Sequence, residues 1–296
     1  MTSSAPLRSL MAVPGRLRFL SLVLLYIALV VLCLGSLWRA GELSMGRQPW
    51  ANLLKTGVEF SHPSFLDAWS GNTRLEYRSD DGTLLRLENR REIERDYLLA
   101  VARATWTTLQ IATLGSLLGA ILALPLGVLS AKNLEAPWPL VAASQAILNV
   151  TRAIHTLVFG LVLVGIVGLG PTAGILAIAL HSLGTYGKLY AESIETLDRA
   201  AIDAVRATGA GPAQVFFNAV WPTVLPQFVS NHLYIWEYNI RDSTILGLIG
   251  AGGLGLLISE ATALFQWGRL ATLLMVVIAM VVVFDGLSRR IRQALL

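Results

Sequence analysis

Arg152, Glu237, Arg241 and Asp242 are ionisable residues set inside stretches otherwise apolar enough for membrane hydrocarbon. A charge at that depth costs roughly 2.5–3.5 kcal/mol or more, so each needs a partner or a water-filled path. Glu237 and Arg241 are four residues apart, the spacing at which opposite charges meet on one helix face. Asp242 faces away from that pair and needs another partner, and Arg152 has no acid within a turn. Arg152 stands about a dozen residues into its stretch, on the order of 18 Å along a straight helix. Two chemistries are open to this set. The charges neutralise one another inside a bundle, or the cations line a path and lower the barrier for a small anion held weakly enough to be released.

Other chemistry is missing from the sequence. There is no G-x-x-x-x-G-K-[ST] phosphate loop, so ATP hydrolysis by this chain is not expected. There is no H-E-x-x-H, no G-x-S-x-G and no cysteine pair, and His62, His155, His181 and His232 are scattered. No catalytic group and no metal site are expected. GAGGLG at 250–255 does not follow a strand in a βαβ unit, so a dinucleotide loop is rejected. Its expected use is a tight re-entrant turn at the outer end of the fifth apolar stretch. Cys33, the single cysteine, cannot form an internal disulfide and is read as a small buried hydrophobe.

The elements that must position these residues are membrane helices. Hydrophobic residues make up 54% of the 296 positions and charged residues 14%, against about 25% charged in a soluble domain. Mean hydropathy is +0.61. The expected fold class is all-α, a polytopic helix bundle. A span needs roughly 20 apolar residues, and six stretches qualify: 17–37, 101–130, 140–168, 172–190, 221–247 and 268–288. The chain therefore divides into 1–37 (N-terminus and first span), 38–100 (an outside insertion) and 101–296 (the transmembrane core, with an inner loop at 191–220). An uncleaved first span is expected rather than a signal peptide, because no small-x-small cleavage site follows it.

Arg8, Arg16 and Arg18 place the N-terminus on the cytoplasmic side, and Arg289, Arg290 and Arg292 place the C-terminus there too. Lys132 falls in an inner loop. Net charge is +4 without a continuous basic patch, which argues against nucleic acid as a partner. Within 38–100, LEYRSDDGTLLRLEN alternates about Asp81-Gly82 as a hairpin does, with Leu75, Tyr77, Leu85 and Leu87 placed to share a face. The spans are rich in Gly, Ala, Ser and Thr, which lets helices approach closely in lipid. Pro125 is expected to kink the second span or free a carbonyl for a neighbour to satisfy.

The inner loop has its own pattern. ESIETLDRAAIDAVRAT places Ile194, Leu197, Ala201, Ala204 and Val205 at three- and four-residue steps and reads as one amphipathic helix. GAGP follows, with Gly209 and Gly211 suited to ending a helix and Pro212 to starting the next. AQVFFNAVW is again helical and runs into Pro222 and Pro226. Pattern alone leaves two uses open: a surface helix linking two spans, or a docking element for a soluble partner.

The stretch DAVRATGAGPAQVFFNAVWP resembles the cytoplasmic loop of ABC-importer permeases. Asp203-Ala204-Val205, three residues, Gly209, nine residues and Ala219-Val220-Trp221-Pro222 keep the spacing of the family's Glu-Ala-Ala…Gly…Ile-x-Leu-Pro pattern, with Gly and Pro intact and several other positions changed. TRAIHTLVFGLVLVGIVGLGP and IRDSTILGLIGAGGLG resemble the third- and fifth-span signatures of the branch that imports phosphonate, phosphite and hypophosphite. The resemblance covers roughly residues 100–296. It implies a type I importer permease fold. Asp203, Ala204, Arg206, Gly209, Gly211, Pro212 and Pro222 would couple to an ATPase, while Arg152, His155, Glu237, Arg241 and Asp242 would be candidates for the substrate pathway. The implied partners are an ATP-binding cassette ATPase dimer, a periplasmic or lipid-anchored substrate-binding protein, a second copy of the chain and membrane lipid. ATP and Mg would sit on the ATPase, with no cofactor on this chain. His155 stands where the family often has Pro, so a straighter third span is expected, and Asp242 replaces a commoner Glu. The alternatives are an ABC permease for another small solute such as an amino acid, an ion-gradient-driven secondary transporter, or a non-transport membrane scaffold.

Overall fold

The computed structural model describes residues 15–43, 48–70, 74–78, 84–134 and 136–295. The chain forms two compact units, Met1–Thr56 and Gly57–Leu296. The first contains α1 (Gly15–Arg39), a 25-residue helix that is apolar on all sides and long enough to cross a membrane, with none of Phe19–Arg39 buried. Cys33 lies on it and is exposed, not buried as expected. A lone apolar helix has no facing core in its unit, so its small residues meet the surroundings like the rest. α2 (Pro49–Phe60) follows and crosses the unit boundary.

The second unit is a helix bundle with one small sheet. After a short turn at Ser64–Leu66 and α3 (Asp67–Ser70), β1 (Arg74–Arg78) and β2 (Leu84–Asn89) pair antiparallel. The turn about Asp81-Gly82 lies outside the described residues. The register sets Leu75 opposite Glu88, Tyr77 opposite Arg86 and Glu76 opposite Leu87. The register therefore does not set Leu75 or Tyr77 opposite Leu85 or Leu87, because pairing, not alternation within one strand, sets the phase. β2 passes directly into α4 (Arg90–Ser130), whose first turn is capped by the Asn89 side chain accepting from the Arg91 N–H at 3.1 Å. α4 continues through Pro125 without a break.

The Arg-rich insertion is tied to the bundle by two ion pairs and a hydrogen bond to backbone. Arg90 meets Asp67 at 2.8 Å, the Arg91 side chain donates to the Ala68 carbonyl at 3.2 Å, and Arg269 meets Glu94 at 2.9 Å.

The core of the bundle is α7 (Pro171–Glu195) packed on α4. Gly115, Gly119, Ala123 and Gly127 recur every four residues along α4, and a Cβ on any of the three glycines would lie 2.8–3.0 Å from α7 atoms. Small residues at helical spacing bring the two backbones together. α7 is long enough to span, at about 37 Å, yet it is not among the three unbroken helices that are also apolar enough, α1, α4 and α12 (Trp267–Leu295). Its Gly, Ala, Ser and Tyr side chains face protein: Ala177, Ile178, Tyr186 and Ile194 have no exposed surface.

Two further spans are bent pairs. The third expected span is α5 (Trp138–Ala153) and α6 (Thr156–Val167), which meet at 91°. The expectation of a straighter span at His155 is therefore corrected. Ile154 and His155 are both extended, and His155 takes the cap of α6, its Nδ1 accepting from the Leu157 N–H at 3.2 Å. Histidine thus ends one helix and starts the next without the ring constraint of proline. The Ile154 carbonyl accepts from His181 Nδ1 at 2.8 Å, and the Thr156 hydroxyl donates to Asp242 Oδ2 at 2.7 Å. α10 (Trp221–Leu246) passes through a widened turn, Gly247–Ala251, to α11 (Leu254–Ala263) with a bend of 59°. Gly250, Gly252 and Gly253 take positive φ there, and the Leu254 N–H donates to Thr108 on α4 at 2.9 Å.

Two substitutions test these contacts. A Cβ on Gly184 would lie 2.6 Å from the Arg152 nitrogen and the Leu148 carbonyl of α5. Gly184→Val is therefore expected to cost about 1–3 kcal/mol, as overpacking does, read as a lower thermal midpoint of the purified protein. Gly165→Val, where nothing lies within 4 Å, should leave the midpoint unchanged. Thr156→Val leaves the buried Asp242 carboxylate without its donor and is expected to cost about 1.5–3 kcal/mol, the range for bonds to charged groups. The loss should shrink in the Thr156→Val/Asp242→Leu double variant; strictly additive losses would show that the two side chains are not coupled.

Candidate functional site

The expected inner loop is two short helices held by one apolar face. α7 ends at Thr196, and Asp198 caps a new helix, α8 (Arg199–Arg206), by accepting from the Ala200 N–H at 3.0 Å. The single helix expected over ESIETLDRAAIDAVRAT is thus broken. Asp198 is a strong N-cap, and a cap outcompetes continued helix where the chain must turn. After α8 the chain reverses at Gly209 (φ +82°) and enters α9 (Pro212–Val215) with Pro212 in the first turn. The Gln214 side chain accepts from the Gly211 N–H at 3.0 Å. A widened turn, Phe216–Val220, leads into α10 with Pro222 in its first turn.

Ile202, Val215 and Val220 are buried and belong to one apolar cluster with Ala120 and Ala123 of α4 and Ile194 of α7. Asp203, Ala204, Gly209, Gly211, Pro212 and Pro222 are exposed, and Arg206 is half-buried and 3.8 Å from Asp203. The loop therefore presents a polar, Gly- and Pro-shaped ridge on one side and shares a buried apolar cluster with the two central helices on the other. A cleft of about 530 Å³ opens beside it, lined by Leu134, Pro137, Arg206, Pro212 and Phe216 among others.

The intramembrane charges separate into two groups. Glu237 is buried and paired with Arg241 on its own helix, while Arg292 of α12 lies 3.8 Å from its other oxygen. Arg292, counted from sequence among the positive residues of the C-terminal end, thus also reaches an intramembrane acid. Asp242 is 5% exposed and turned away from that pair toward Thr156, the partner that sequence left unnamed. Arg152 is exposed in the last turn of α5, 3.5 Å from Asn149, and His155 is exposed beside it at the corner. The bend comes after Arg152, so α5 is unbroken up to it and the length of about 18 Å along the helix stands.

One set of residues went unread in the sequence. Gln227, Asn231, Tyr234, Tyr238 and Arg241 follow steps of four, three, four and three along α10. All are exposed or half-buried. This is a polar helix face on a membrane span, and its 3.6-residue period was the available signal. On the opposite face Asn239 donates to Ser116 of α4 at 2.8 Å and to Ser182 of α7 at 2.9 Å, which clamps the three helices and fixes the direction of the polar face.

Comparison with known proteins agrees with this geometry. Residues 123–296 match the family described as binding-protein-dependent transport system inner membrane component. The chain is 40% identical over 187 residues to the phosphite transport system permease protein PtxC of Stutzerimonas stutzeri, covering 63% of this chain and 68% of that protein. It is 35% identical over 188 residues to the phosphate-import permease protein PhnE of Mycolicibacterium smegmatis, covering 64% of this chain and 35% of that protein. A chain of the MetNI methionine ABC transporter in an inward-facing form superposes with a TM-score of 0.61 at 23% identity, covering 68% of this chain and 98% of that one. The fold is that of type I ABC importer permeases. With more than half of its length matched, the chain belongs to the binding-protein-dependent transport system inner membrane component family.

Proposed function

We propose that the chain is the permease through which a small phosphorus oxyanion (phosphonate, phosphite or hypophosphite) crosses the inner membrane after delivery by a binding protein. Two copies would enclose the path and two ATPase subunits would drive it. ATP and Mg would stay on those subunits, and this chain would carry no catalytic group. Both termini would lie in the cytoplasm. The polar face of α10 supports the two-copy arrangement. A row of Gln227, Asn231, Tyr234, Tyr238 and Arg241 turned to lipid would be costly, and a second copy across a water-filled path removes that cost.

The observation that carries the substrate class is the unequal exposure of the charges. The Arg241 side chain is 50% exposed while that of its partner Glu237 is 10% exposed, and Arg152 is exposed at the α5–α6 corner. The accessible charges at this level are cationic and the acids are withdrawn into the bundle. A small, strongly hydrated anion gains from such a lining. The similarity to a phosphite permease agrees with it. Asp203, Ala204, Arg206, Gly209, Gly211, Pro212 and Pro222 would form the ridge that meets the ATPase. Ile202 and Val215 share a buried cluster with residues of α4 and α7, a packed route by which movement of the ATPase would reach the central helices. The rival reading, a permease for an amino acid, predicts a path with balanced charge.

Arg152→Ala is expected to reduce uptake at least tenfold in the complex reconstituted with its ATPase and binding protein, while the subunits still co-purify. Normal uptake would remove Arg152 from the path. Gly209→Val forces a β-branched residue into a left-handed backbone and should uncouple ATP turnover from transport. Stimulation of ATP turnover by phosphite, hypophosphite or a phosphonate, but not by amino acids, separates the two substrate readings.

A further inference from the structure

We infer that α2 is an interfacial helix that lies in the headgroup region of the membrane and holds the insertion against the lipid. At 100° per residue, Trp50, Leu53, Leu54 and Val58 fall on one half of the helix, and Asn52, Lys55 and Glu59 fall on the other. None of the twelve residues is buried, and the four apolar side chains are 62–74% exposed. Twelve residues make about 18 Å, too short to cross hydrocarbon and suited to lying in its surface. A tryptophan at the head of the apolar side is the residue type that settles at headgroup level.

The chain on both sides of α2 ties it to a spanning helix. Arg39 ends the spanning helix α1, and ten residue steps separate it from Pro49, at most about 35 Å of extended chain. On the other side, Ser61–Pro63 lead to Ser64, whose hydroxyl meets Thr272 Oγ1 at 3.1 Å. The Phe65 N–H bonds the same oxygen at 3.3 Å. Thr272 lies in the second turn of the spanning helix α12. The exit of α2 is thus fastened to the end of a span. An apolar half-cylinder tethered in this way has the lipid surface within reach. Lys55 and Glu59 balance in charge, so burial of the apolar half, not attraction to acidic lipid, is the driving force.

The test uses the full complex in lipid nanodiscs, with Cys33→Ser removing the single cysteine. A nitroxide is placed at Leu54 or Val58, and in separate variants at Asn52 or Lys55. Oxygen, which partitions into lipid, and a water-soluble nickel chelate compete as relaxation agents. Labels at 54 and 58 should be several-fold more accessible to oxygen than to nickel, and labels at 52 and 55 the reverse. Equal nickel access at all four positions would place α2 in water and overturn the assignment. Shielding of 54 and 58 from both agents, with or without the binding protein present, would mean that protein covers the face and would overturn it as well. Trp50→Phe gives a label-free check, since it should remove a component of fluorescence that brominated lipid quenches in the unmodified complex; unchanged quenching would count against the lipid contact.

Discussion

A backbone break inside a membrane has no water to satisfy it, so protein must supply every missing hydrogen bond. This constraint governs the second unit. At the α5–α6 corner the Leu157 N–H goes to His155 and the Ile154 carbonyl to His181, while the Thr156 hydroxyl ties the corner to Asp242. At the start of α11 the Leu254 N–H goes to Thr108. The Gly170 N–H, at the head of α7, goes to the Gly250 carbonyl at 3.0 Å. These breaks are joined because the acceptors and donors come from α4, α7 and α10. Shifting one of those helices would strip partners from a corner on another. The bends are therefore parts of one framework, and the corner that exposes Arg152 is held by the helix that carries the polar face.

The same economy explains why α7 is less apolar than its neighbours. Between lipid-facing helices, association cannot rely on the hydrophobic effect, since hydrocarbon is as apolar as leucine. Close backbone approach replaces it. The glycine row of α4 lets Ile178, Ala179 and Gly187 of α7 come within van der Waals distance, and Asn239 ties α10 to both. The inner loop inherits this rigidity. Its buried residues Ile202, Val215 and Val220 belong to the same cluster as Ile194 and Ala123, so the exposed ridge and the central helices form one packed body. Along α1, by contrast, none of Phe19–Arg39 is buried.

Much of this was legible in the sequence because it rests on local period and punctuation. The helical stretches, the reversal at Gly209-Ala210-Gly211-Pro212, the glycine turn at 250–253 and the Glu237–Arg241 pair all follow from spacing within one segment. What escaped depends on contacts between segments or on competition between local signals. Proline is the familiar marker of a broken helix, and a capping histidine was not weighed in its place, so the third span was expected to be straighter. The apolar period of 194–205 suggested one helix, but Asp198 begins a new one. Alternation within each strand was visible, whereas the pairing phase that separates Leu75 from Leu87 is a property of the pair. Thr156 as the partner of Asp242, and Arg292 as a second cation near Glu237, bridge 86 residues and the gap between two helices; no pattern within a segment announces them.

The placement of the acids shapes what the proposed path could do. If Glu237 shared the exposure of Arg241, the two would present a dipole and an approaching anion would meet little net attraction. Burying the carboxylate and adding Arg292 at 3.8 Å moves the negative charge away from the exposed side and leaves the guanidinium of Arg241 at the surface. Asp242, one residue on, is withdrawn as well and spent on the corner of α6. The result is a cation that is accessible and still partly neutralised from behind. On the proposed path such a group would attract an anion without trapping it, because its charge is already shared with a buried partner. A path needs weak, distributed attraction so that the ion can leave as readily as it enters. Tight selection among phosphorus oxyanions is then better placed on the protein that captures the solute from dilute solution, and the permease is left to favour charge and size.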